Sequence, residues 1–201
     1  MNYRDLMLRV LMMVTGLSLI GLGIAMFVEA GLGADPVTVL CQGISAMANI
    51  SLGRALQLNG VALFIVLLIA GRSYIGLGTF VASFTTGAMA DVFKAVIPSP
   101  ATPWQSWIML LASIAVVSSG VAIYLSAKLG DGPLEGVMML LSDRLKAPIA
   151  WVKIGMDVAS TVAGFAMGAI PGIGTIVSVI LTGPIIQALL KLIAESMAHS
   201  A

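Results

Sequence analysis

Charge is the scarcest commodity in this chain. Of 201 residues only 9% are Asp, Glu, Lys or Arg, where a soluble domain carries roughly 25%. Hydrophobic residues make up 59% of the sequence, and the mean hydropathy is +1.08. That balance excludes an ordinary soluble fold and predicts an integral membrane protein. Cysteine and histidine occur once each, as Cys41 and His199, which excludes a disulfide framework and a Cys/His metal cluster within one chain. Cys41 is read as a small apolar packing residue. The net charge of +1 comes without a dense basic stripe of the kind that tracks phosphates, so nucleic acid is a poor partner. No nucleophile has an evident base beside it, and no glycine-rich phosphate loop follows a strand. Enzyme chemistry, a cofactor and a bound metal are therefore not expected.

What is present is written twice. GLGADP at 31–36 returns as KLGDGP at 128–133, a spacing of ninety-seven between Pro36 and Pro133. The same shift aligns Gly23 with Gly120, Gly33 with Gly130 and Ser45 with Ser142. With one residue deleted, GLGT at 76–79 falls on GIGT at 172–175, and Thr86-Gly87 on Thr182-Gly183. The period is too long for a solenoid and suits the duplicated halves of transporter folds. The predicted organisation is a first repeat over 1–97, a linker PSPATPW at 98–104 and a second repeat over 105–201, together one membrane domain.

Each half reads as four helical segments. The first half offers 7–29, 36–49, 55–71 and 79–97, and the second 106–127, 133–146, 150–170 and 175–194. The run 7–29 exceeds the roughly 20 residues a bilayer requires and is longer than a signal-peptide core, so it reads as a retained anchor. The segments after Pro36 and Pro133 are different. Val37, Leu40, Cys41, Ile44 and Ala48 form an apolar face, with Thr38, Gln42, Ser45 and Asn49 opposite. Leu134, Val137, Met138, Leu141 and Leu145 repeat that face, with Glu135, Ser142 and Lys146 across from it. Fourteen residues reach only about 21 Å, short of a hydrocarbon core of about 30 Å. Such helices either re-enter the membrane or lie in its interface. The abrupt Gly-x-x-Pro turn after a span favours re-entry. The expected fold is all-α, with a two-fold repeat of about ninety-seven residues, six full transmembrane helices and two short ones.

Proline at the first helical position costs no needed N–H, and Asp35 is placed to cap the helix it opens. In the second copy Gly132 takes the cap position, Asp131 precedes it and Glu135 lies in the first turn, where the dipole favours an acid. Capping is one role for these acids and solute binding is the other.

These residues carry a resemblance. LGxxP, GxGT and the closing TGP, and above all LGDGPLEGVM, WVKIGMD and GIGTIVSVILTGPIIQ, resemble the YczE-like integral membrane proteins, related more loosely to the YitT family. In the second half such proteins show GPRDG, an Arg four residues before a membrane Glu, then GxGT and IGP. The matching residues here are Gly132, Pro133, Leu134, Glu135 and Gly136, then Lys153 with Asp157, then Gly172, Gly174 and Thr175, then Gly183 and Pro184. Leu134 stands where the family has a basic residue, so an anion contact there is not expected. The resemblance implies an architecture and no settled activity.

Ionisable groups within spans are functional candidates by default. Lys153 and Asp157 stand at i and i+4, a self-neutralising pair that serves packing or function, with Ser160 further along the same face. Asp91 follows a hydroxyl stripe of Thr79, Ser83 and Thr86, which reads as a polar path or as helix packing. Pro184 should kink the last helix, and Gly164-x-x-x-Gly168 should make a close helix contact. Trp104, Trp107, Trp151 and Tyr3 lie near helix ends as headgroup anchors.

Basic residues divide eight to two under either topology, so the positive-inside rule does not choose between parallel and inverted repeats. Helix length favours inverted repeats, with both termini cytoplasmic in the inner (plasma) membrane. The functional expectation is a secondary transporter or permease for a small polar or charged solute, bound between the halves. Its candidate contacts are Gly33, Asp35, Thr38, Gln42, Asp91, Gly130, Asp131, Glu135, Lys153, Asp157, Gly174 and Thr175. Helix N-termini there suit an anion, whereas the acids beside them suit a cation or zwitterion. The rival is a non-transporting membrane partner that assembles or stabilises another complex; a channel ranks third. Partners are the bilayer, a solute and a second copy of the chain.

Overall fold

Two glycines set the middle of the bundle. In the computed structural model, which describes residues 3–199 with side chains to Glu195, helix α1 (Tyr3–Ala30) crosses helix α5 (Pro103–Ser126) at Gly16 and Gly120. A Cβ on Gly16 would lie 2.7 Å from Gly120 O, and one on Gly120 would lie 2.7 Å from Gly16 O. Only backbone separates the two helices there, which is how small residues drive association where lipid cancels the hydrophobic force. Further along, Gly23 meets Val117 and Ser113. As the number rises on α1 it falls on α5, so the two run antiparallel.

The remaining helices are α2 (Pro36–Ala48), α3 (Leu52–Ala70), α4 (Leu77–Lys94), α6 (Pro133–Leu145), α7 (Ile149–Ala166) and α8 (Ile173–His199), with a 3-10 turn at Arg72–Tyr74 between α3 and α4. Among the described residues there is no strand. Helix α4 packs on α1 and α3, α8 on α5, α2 on α7 and α3, and α6 on α3 and α7. The core lies in patches along α1 and α5, one around Phe27, Ala34, Val39, Leu110 and Ile114, another around Met13, Leu17, Tyr124 and Ala127. Cys41 is fully buried in a third, with Ile24 and Leu52.

Among the described residues five helices, α1, α3, α5, α7 and α8, are long and apolar enough to cross a membrane. The expected sixth, α4, is a helix of 18 residues, but its hydroxyls, Asp91 and Lys94 dilute its apolar content. Boundaries moved for local reasons. Ser51 accepts from Arg54 N and starts α3 three residues ahead of the expected Ala55. Helix α7 stops at Ala166 because Gly168 takes φ +95°. Of the expected Gly164–Gly168 contact only the first half forms. A Cβ on Gly164 would meet Val39 O of α2 at 2.5 Å, and one on Gly168 would meet nothing within 4 Å. Pro184 lies inside α8. Trp104, Trp107, Trp151 and Tyr3 are all exposed near helix ends, as anchors should be.

Both short helices form as their sequence dictates. Pro36 and Pro133 occupy first-turn positions, and Asp35 Oδ1 accepts from Thr38 N at 3.1 Å. Their far ends also match. Asn49 and Lys146 close the two helices in left-handed conformations, while Ser45 Oγ donates to Ile50 O at 2.6 Å and Ser142 Oγ to Ala147 O at 2.8 Å.

Candidate functional site

The repeated turns meet crosswise. The backbone of Gly33, at φ +100°, lies against Gly172, where a Cβ on Gly33 would be 2.6 Å from Gly172 N. Gly174 N donates to Leu32 O at 2.7 Å. In the other joint Gly130, at φ +119°, lies against Gly76, and Gly78 N donates to Leu129 O at 2.9 Å. Each LGxxP turn therefore docks on the GxGT turn of the opposite half. Only glycine tolerates both the positive φ and the backbone approach at Gly33 and Gly130. Thr79 Oγ1 adds a bond to Asp131 O at 2.6 Å and accepts from Gly76 N at 3.0 Å, while Thr175 Oγ1 accepts from Gly172 N at 3.3 Å. Tyr74, the last residue of the 3-10 turn, donates to Asp143 of α6. That bond pushes the exposed Tyr74 hydroxyl above its ordinary pKa.

Between the joints lies a cavity of about 240 Å³. Its ends are the starts of the two short helices, Asp35 to Thr38 and Gly132 to Glu135. Lys153 and Asp157 of α7 form one wall. Leu17, Ile20, Ile24 and Phe27 of α1, with Val117 and Val121 of α5, form an apolar one. Lys153 Nζ donates to Asp157 Oδ2 at 2.7 Å; the acid side chain is 10% exposed and the lysine 46%. Thr161 Oγ1, in place of the expected Ser160, takes up the next position by donating to Asp157 O at 2.8 Å. The Glu135 carboxylate folds back over Gly132 at the uncapped start of α6. Asp35 and Glu135 line the same cavity, and among the described residues Asp157 is the acid hydrogen-bonded to the ammonium group.

Of the expected contacts, Asp35, Thr38, Glu135, Lys153 and Asp157 line this cavity together. Gly33, Gly130, Asp131 and Gly174 belong to the joints beside it, and Thr175 bonds within a joint while facing the space between α7 and α8. Gln42 is half-buried on α2 and outside the lining. Asp91 is also outside it. Its carboxylate takes Ser51 Oγ at 2.5 Å and Gly53 N at 2.7 Å and so holds the start of α3. Ser83 and Thr86 of the hydroxyl stripe do line the cavity, so the stripe leads inward and not to Asp91. Sequence reasoning missed Asn59, Tyr124, Ser178 and Thr182. The pairing of Thr86-Gly87 with Thr182-Gly183 carried a signal for one of them, since Thr86 and Thr182 face the same space.

The family model described as a family of unknown function, DUF6198, matches residues 7–191. The chain belongs to this family. An uncharacterized protein of Haemophilus influenzae is 29% identical over 179 residues, covering 89% of this chain and 82% of that protein. The uncharacterized membrane protein YczE of Bacillus subtilis is 26% identical over 185 residues, 92% of this chain and 86% of that one. YyaS, an uncharacterized protein of the same organism, is 24% identical over 181 residues, 89% of this chain and 90% of its own length. The resemblance read from LGxxP, GxGT and TGP therefore holds along the chain. No solved structure matches it. With a membrane protein among these relatives and five apolar helices of spanning length, this DUF6198 member is an integral membrane protein.

Proposed function

We propose that this protein is a small secondary transporter or permease whose solute is a cation or zwitterion carrying an amine. The observation that carries the reading is the convergence of Asp35, Glu135 and the Lys153–Asp157 pair on one 240 Å³ cavity lined by six helices and the starts of two short ones. Ionisable groups at such depth are expensive and are kept for solute paths, proton relays or paired packing. Three acids against one lysine favour a positive solute. The volume lies below the roughly 300 Å³ at which pockets for drug-sized ligands begin, which suits a small solute.

The same proposal takes the two halves as inverted repeats, with six crossings, two re-entrant helices and both termini cytoplasmic. Antiparallel packing of α1 on α5 supports this, because in a parallel eight-span arrangement those helices would run the same way. The reciprocal joints and the matched Ser45 and Ser142 caps support it further. Binding at a repeat interface beside half-helix N-termini is the arrangement that alternating access uses. Asp157 is the proton-carrier candidate, since Asp91 is spent on α3. A non-transporting partner would call for a dry interior and a small-residue face turned to lipid, whereas Gly164 turns to α2 and the interior holds a charged cavity. The test is purified protein in liposomes, screened with small amines, zwitterions and anions. Flux of an amine or zwitterion above that of empty liposomes, lost in Asp157→Asn, is the expected result. Flux of anions alone, or of nothing, overturns the reading.

A further inference from the structure

The two flanks of the bundle are built differently. On one, α3 and α4 close tightly: a Cβ on Gly53 would collide with Gly87 O, one on Gly87 with Gly53 O, and one on Gly60 would lie 3.0 Å from Ser83 Cα. On the other, α7 packs on α2 and α6 and α8 on α5, without comparable packing between α7 and α8. A Cβ on Gly155 or Gly183 would meet no atom within 4 Å. The space left between α7 and α8 is an apolar crevice of about 310 Å³.

This crevice and the central cavity share Asp157 and Val179. The crevice is walled by Val158 and Val162 of α7 and Ile176 and Ile180 of α8, each 57–64% exposed. In a bilayer those exposed faces meet hydrocarbon, so the crevice runs from lipid inward to a carboxylate. Asp157 is nine-tenths buried and accepts from Lys153 Nζ at Oδ2. Among the described residues no hydrogen-bond donor reaches its Oδ1. An acyl chain alone would fill the crevice and leave that oxygen unmatched. An amphipathic anion would bring its head to three acidic side chains and one lysine.

We infer that the ligand is an amphipathic organic cation, with its ammonium head at Asp157 in the cavity and its apolar chain in the α7–α8 crevice. The inference rests on the proposed use of the cavity as a solute site and names the solute class. Its chemistry is that of an alkylammonium ion. Such a ligand partitions into the bilayer first and reaches the site sideways, so the head needs no aqueous route and the chain never leaves an apolar medium.

The test uses the full chain in bilayer nanodiscs of phosphatidylcholine and an octylamine bearing a diazirine at the chain end. After photolysis, adducts should concentrate on Val158, Val162, Ile176 and Ile180. Octyltrimethylammonium should compete, octyl sulfate should not, and tetramethylammonium should compete at least about tenfold more weakly, since each buried methylene adds affinity. Asp157→Asn should cut labelling about tenfold, as removal of one partner of a buried charge contact does. Val162→Trp leaves Asp157 in place and fills the crevice, so it should abolish the adducts on Val158, Ile176 and Ile180. Labelling spread evenly over the lipid-facing helices, or equal competition by octyl sulfate, overturns the inference. Flux of small amines without crevice adducts defeats it and spares the transporter reading. Crevice adducts that depend on Asp157 without flux of any amine do the reverse.

Discussion

Lys153 Nζ stands 2.7 Å from Asp157 Oδ2, yet the acid is 10% exposed and the lysine 46%. The two ends of this pair therefore carry different risks. Removing Lys153 strands a buried carboxylate, whereas removing Asp157 leaves an ammonium that reaches solvent or a headgroup by snorkelling.

Lys153→Gln should destabilise the fold by about 1–3 kcal/mol, a figure discounted from the fully buried case for solvent screening. Asp157→Asn should cost less, and the double variant should recover most of the loss. Melting in one detergent checks the order. If the double variant folds but moves no solute, the pair works in transport; unchanged stability and flux across all three variants remove Asp157 from the site.

Gly78→Val and Gly174→Val should both lower yield and melting temperature. Neither residue has positive φ, so the reason is close approach: a Cβ would lie 2.6 Å from Gly130 O and 2.7 Å from Gly33 O respectively. Gly155→Ala is the control, with no atom within 4 Å of the new Cβ. It should be neutral or slightly stabilising, by up to about 1 kcal/mol of helix propensity.

The inverted six-span topology makes a labelling prediction. Ser73 and Ser99 are exposed in different connections, and single cysteines there should be reached from opposite faces, the one at 73 only after the membrane is permeabilised. Native Cys41 is fully buried and should stay silent. Labelling of position 73 from outside and of 99 only from inside would replace this topology by the eight-span parallel one.

Asp91→Ala should cost about 1–2 kcal/mol by freeing Gly53 N and Ser51 Oγ at the start of α3. Flux per folded molecule should not change. A variant with normal melting and abolished flux would return Asp91 to the solute path.

Much of this protein is written in neighbouring residues. The apolar runs, the prolines that open α2 and α6, the Asp35 cap and the i,i+4 pair on α7 all follow from spacing within one turn or one span, and all were legible. The composition alone required a bilayer, because so few charges cannot solvate a soluble surface. What the chain could not show locally was which polar faces would meet. Thr79, Ser83, Thr86 and Asp91 fall along one helix, yet the packing of α4 on α3 sends Ser83 and Thr86 to the cavity and Asp91 to a backbone cap. GLGT and GLGADP look like separate turns, and only the antiparallel crossing of α1 and α5 brings each against the other kind of turn from the far half of the chain. The open α7–α8 flank is likewise tertiary. Gly87 and Gly183 each follow a threonine in a Thr-Gly pair, but one is pressed against Gly53 and the other faces free space, because a glycine becomes a joint only when a second backbone arrives to use it.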